Sequence, residues 1–264
     1  MGSFISLLPS WILFLLVFLI GILAAEFGGW FARKRDASEI KEKGSPIGSM
    51  LGALLGLLAF MLGLTFSITA ARFSERKRLL LNQANAISTC YLRTDLIPEK
   101  QKRETQRLFS EYIDLLVTIS SSPGTEKIQK MEALQLGIWK QAASLKDENM
   151  DPPLKSLYLA SVNQVIDLFE ERKTVVFIFN VPSPVWIVLL LLFISSMFVA
   201  GLETNNFKLR RNLNVPIMTA SFALIVVLIS AMDASTRKGD FAVNQQPLID
   251  VQQMIREDLA QPAR

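Results

Sequence analysis

Histidine is absent from this chain of 264 residues, and cysteine occurs once, at Cys90. Without histidine there is no Ser–His–Asp relay and no His/Cys zinc site, and one cysteine cannot close a disulfide within a chain. Charge is scarce too: 20 % of residues are Asp, Glu, Lys or Arg, against a hydrophobic share of 50 %. No segment alternates like a half-buried strand, and neither a nucleotide-binding loop, a metal cluster nor an internal repeat is visible. Glu111, Asp114 and Asp167 sit at helical positions that surface pairing explains. These absences argue against an enzyme and call for no cofactor or metal. The lone Cys90 reads as a small buried apolar residue.

What the chain does have is apolar residues gathered in blocks of about 20, the length that crosses a hydrocarbon core of about 30 Å. Mean hydropathy is +0.33. The net charge of +4 comes from basic residues placed where the blocks end, as membrane flanks are, so lipid and not nucleic acid is the expected partner. A first span covers about residues 8–30, with Trp11 and Trp30 near its ends. No basic residue precedes it, whereas Arg33, Lys34 and Arg35 follow, the reverse of signal-peptide polarity, so it reads as a retained helix. A second span covers about 47–71. A third starts after Pro182 and Pro184 and ends near Glu203. A fourth covers about 215–232, with Pro216 in its first turn.

The expected fold class is all-α: a polytopic membrane protein with four transmembrane helices and a helical-bundle insert between the second and third. Residues 1–72 hold the first pair of spans, 73–180 the insert, 181–233 the second pair and 234–264 a polar tail. Helical stripes run through the insert at Leu80, Ala84, Ile87 and Tyr91, at Leu108, Tyr112, Leu115 and Ile119, at Ile128, Met131, Leu134 and Ile138, and at Leu154, Tyr158, Val162, Val165 and Phe169. Pro98, the SSSPG run and Asp151–Pro153 punctuate them. The tail predicts a short amphipathic helix from Pro247, packed on the insert. Mixed charge along 99–107 and 126–132 reads as a solvated bundle face.

The short loops set the orientation. Arg33, Lys34, Arg35, Lys41 and Lys43 follow the first span, and Lys208, Arg210 and Arg211 follow the third, so both loops share a side. The positive-inside rule places that side in the cytoplasm and the insert outside. Arg72 to Arg78, Arg172, Lys173, Arg237 and Lys238 pull the other way.

Gly48, Gly52 and Gly56 lie along one face of the second span, with Gly63 beyond them. Such faces let helices in lipid approach closely, whether the partner is another span of this chain or a second copy. Two ion pairs are expected at the membrane ends: Glu26 with Arg210 or Arg211, and Arg72 with Asp233. Both suit a purely structural role; the sharper alternative makes Arg72 part of a charged pore mouth that attracts anions.

The stretch LGLLAFMLGLTFSITAARFSERKRLLLNQANAISTCYLRTDLIPE resembles the bacterial bestrophin-like domain family. Glu26 matches that family's late acidic residue in the first span, and Ala70, Ala71, Arg72 and Phe73 match its small-small-Arg-aromatic step. QANAISTCYLR matches an EANAIGTAYLR type of segment, with Gln83 for the glutamate and Ser88 for the glycine. Asp167, Arg172 and Pro182 follow a further family pattern. Asp233, Arg237 and Gly239 remain of a DLDRPRxG motif whose middle is changed here. The family remotely resembles bestrophins, pentameric anion channels whose second span lines the pore. That resemblance implies a homo-oligomer, chloride or another small ion as cargo, a bacterial inner-membrane location, and Leu57, Phe60, Met61 and Leu64 as candidates for an apolar neck. Bestrophin inserts are cytoplasmic, against the loop charges here. An alternative function is a non-conducting membrane protein whose insert binds a partner or senses the envelope.

Overall fold

The computed structural model describes residues 9–34, 46–121, 124–177, 181–206, 213–233 and 243–260. All regular structure among them is helical: α1 (Ser10–Lys34), α2 (Pro46–Leu92), α3 (Glu99–Ser121), α4 (Thr125–Ser144), α5 (Pro152–Phe177), α6 (Ser183–Asn206), α7 (Asn214–Asp233) and α8 (Gln246–Ala260). Four of them, α1, α2, α6 and α7, are long and apolar enough to cross a membrane.

Helix α2 has 47 residues, or about 70 Å at 1.5 Å per residue, more than twice the apolar thickness of a bilayer. Nothing after Gly63 breaks it until a 3-10 turn at Arg93–Leu96, where the chain meets Pro98 and cannot stay helical. The paired prolines at Pro152 and Pro153 open α5, where a missing N–H is harmless.

The chain divides into two compact units, Met1–Phe73 with Asn180–Ala234, and Ser74–Phe179 with Ser235–Arg264. The first holds α1, the apolar part of α2, α6 and α7. Leu13, Val17, Leu58, Trp186, Phe193 and Met197 are among its core. Three of its buried hydroxyls turn back onto their own helices: Thr65 Oγ1 donates to the Met61 carbonyl at 2.8 Å, Thr69 to Thr65 at 2.8 Å, and Ser196 to Leu192 at 2.7 Å, while Thr219 Oγ1 of α7 reaches Met197 Sδ of α6 at 3.3 Å. In lipid that internal satisfaction removes the cost of a bare polar group.

The second unit is a bundle of the α2 extension with α3, α4, α5 and α8. Tyr91, Phe109, Tyr112 and Phe169 meet edge to face in sequence, with centroids 6.3, 6.4 and 6.5 Å apart. Arg172 on α5 ties three segments together: Nη1 donates to Gln83 Oε1 on α2 at 2.7 Å, and Nη2 to Gln245 Oε1, just ahead of α8, at 3.3 Å. Burial lowers the pKa of this guanidinium to about 10, which leaves it charged at neutral pH. Helix α8 inserts Leu248, Val251 and Ile255 into the same core.

Candidate functional site

The glycines that bring backbones together are not those of α2. A β-carbon at Gly28 of α1 would lie 2.0 Å from the Phe198 carbonyl oxygen, and one at Gly201 of α6 would lie 1.9 Å from that of Ala25. Only glycine fits at two such points, and α1 buries a matching row of small residues at Gly21, Ala25, Gly28 and Ala32. That row was readable in the sequence as small residues spaced by four, three and four.

The α2 glycines stand differently. Gly52, Gly56 and Gly63 have nothing within 4 Å of where a β-carbon would be, while Gly48 faces Glu203, whose Oε1 would lie 3.2 Å away. Among the described residues, no other helix comes within 4 Å of a β-carbon at any of these three. Among the neck candidates, Phe60 is 63 % exposed, Leu57 48 % and Leu64 44 %. Met61 instead is half-buried and packs on the core of the membrane unit.

Helical register explains this pattern along all of α2. At 100° per residue, Leu58, Leu62, Thr65, Thr69, Arg76, Leu79, Gln83, Ile87 and Cys90 fall on one side, and all are buried. Gly56, Phe60, Gly63, Ser67, Ser74, Arg78, Asn85 and Leu92 fall on the opposite side, and all are exposed. One helix face is thus open from the apolar segment to the end of the charged one.

The charges predicted to matter divide between the two sides. Arg72 leans to the covered side: it is half-buried, and its Nη1 is enclosed without a hydrogen-bond acceptor. Asp233 is buried and accepts the Val181 amide N–H at 3.2 Å. Glu26 is exposed on α1. Arg210 and Arg211 lie outside the described residues, and so does the pairing expected of them with Glu26. On the open side, Arg78 forms a two-bonded pair with Glu75, Nε to Oε2 at 2.9 Å and Nη2 to Oε1 at 2.5 Å. Counted for orientation, the run from Arg72 to Arg78 reads as basic charge alone, although Glu and Arg three apart on a helix are neighbours. Among the described residues no three acidic or thiol side chains gather where a metal could be held.

The Bestrophin-like domain model matches residues 12–248 of the chain. Among solved structures, a bacterial bestrophin homologue from Klebsiella pneumoniae, in a form with one leucine replaced by threonine, aligns with a TM-score of 0.68 at 13 % identity, over 96 % of this chain and 100 % of that one. Another form of the Klebsiella pneumoniae homologue, with one tyrosine replaced by alanine, gives 0.69 at 10 %, over 94 % and 99 %. A structure described as a membrane protein, with one proline replaced by alanine, gives 0.69 at 11 %, over 96 % and 99 %. No curated protein is significantly similar. At such identities the structures speak for a shared fold, and the domain match extends over the membrane helices and the bundle alike. The chain belongs to the bestrophin-like domain family.

Proposed function

We propose that this protein is a homo-oligomeric ion channel of the bacterial inner membrane, with α2 of each copy around the axis and small anions such as chloride as cargo. The observation that carries the proposal is the open face of α2. In a single chain it leaves Gly52, Gly56 and Gly63 bare and Leu57, Phe60 and Leu64 exposed, while the close helix contact within the chain is made elsewhere, by Gly28 and Gly201. Copies arranged about that face would bring the small residues into helix contact and set the apolar side chains as a neck that controls wetting. Family membership supports the same reading.

Native mass spectrometry of the detergent-solubilised protein, followed by chloride and potassium flux from liposomes, tests it. A ring of four or more copies with flux is expected. A monomer would sink the proposal, because one α2 cannot enclose a path. A second reading, a non-conducting protein that docks a partner through its bundle, draws on Leu136 and Trp139, which stand exposed on α4. It predicts an assembled protein without flux.

A further inference from the structure

We infer that the charge an ion meets after the neck is the Glu75–Arg78 pair, and that the balance within this pair sets selectivity, with Arg72 outside the path. The inference rests on the conducting reading and names the residues that would decide what is conducted.

The argument is one of register. Eighteen residues make five full turns of an α-helix, so positions 18 apart lie in line, about 27 Å apart along the axis. Arg78 is in line with Phe60, and Glu75 is in line with Leu57. Phe60 is the most exposed of the neck candidates, and Leu57 is the next. The pair therefore continues along α2 the line of these two side chains. Arg72 is 12 residues from Phe60, a third of a turn away, on the side where its Nη1 is enclosed. Arg76 is buried as well. Beyond Leu64, the exposed positions nearest that line before the pair are Ser67, Ile68, Ala71 and Ser74, three of them small.

The chemistry of the pair suits a tunable filter. Glu75 engages Nε and Nη2 of Arg78, leaving Nη1 outside the pair, and the Arg78 side chain is 59 % exposed. A guanidinium presents five N–H donors and stays charged, so it can hold a carboxylate on one edge and offer the other to a passing anion. Repeated around an axis, such pairs form a ring whose sign depends on which member dominates. Removing Arg78 leaves a ring of carboxylates, and removing Glu75 leaves a ring of guanidinium groups. The two changes push selectivity in opposite directions, which a purely structural pair would not do.

The test is the reversal potential of the full-length protein in planar bilayers under a potassium chloride gradient, with assembly of each variant checked by native mass. R78Q is expected to lower the chloride-to-potassium permeability ratio by about threefold or more, E75Q to raise it by a similar factor, and the double variant to return close to the parent. R107Q is the control, because Arg107 forms a comparably exposed pair with Glu104 on another helix, α3; it should leave the ratio unchanged. Flux with the same ratio in R78Q and E75Q, or shifts of the same sign, would overturn the assignment while leaving the channel reading standing. A parent protein without flux would overturn both.

Discussion

At the scale of single residues, glycine has two unlike uses here, and the same substitution separates them. Gly201→Leu forces a side chain into the Ala25 carbonyl, where even a β-carbon would be 1.9 Å away. The expected cost is at least about 3 kcal/mol, the upper end for overpacking, because backbone and not a flexible side chain has to move. Gly56→Leu enters open space, so thermal melting of the separated chain should be unchanged while the oligomer mass falls. Equal melting of the two variants would refute the distinction. Spacing revealed that α2 has a small-residue face, but spacing names no partner. The rows on α1 and α2 look alike in sequence and differ in what lies opposite, which only the fold decides. The same holds for charge. Arg72 drew attention as the first cation after an apolar run, yet register turns it from the face on which Arg78 stands.

At the scale of elements, the four spans and the length of α2 were legible because apolar runs and helix breakers are local signals. The position of α8 was only half legible. Its amphipathic pattern from Pro247 foretold a helix packed on the insert, but its partners lie more than a hundred residues upstream. Tyr91 donates to Asp258 at 2.7 Å, and Asp114 accepts from Gln252 at 2.6 Å and Arg256 at 2.9 Å. With Leu248 and Ile255 fully buried, α8 is a core element of the bundle. Ending the chain before Gln246 should therefore destabilise the bundle by on the order of 5 kcal/mol, from three lost apolar side chains. Tyr91→Phe should cost about 1 kcal/mol, the usual net value of one hydrogen bond. Thermal scans with an apolar-surface dye would read both, and a truncated chain that melts like the parent would show that α8 is dispensable.

At the scale of the whole molecule, loop charges argue for a bundle outside the cell membrane, and the single cysteine makes this testable. Cys90 is buried, and desolvation pushes its thiol up to about 11, so at neutral pH it presents neither access nor thiolate to a maleimide. A Gln129→Cys variant then carries the only reactive thiol, at an exposed position on α4. Labelling of intact spheroplasts by a membrane-impermeant maleimide is expected; protection until lysis would put the bundle in the cytoplasm. The seam between α1 and α6 bears on how such a molecule could move. A slide by one turn would replace Gly28 by Ala24 or Ala32 and drive a methyl group into the Phe198 carbonyl, so shear along this seam is blocked in both directions. The two helices are keyed together and travel as one plank, and any opening or closing of the membrane unit falls to the helices that move against it.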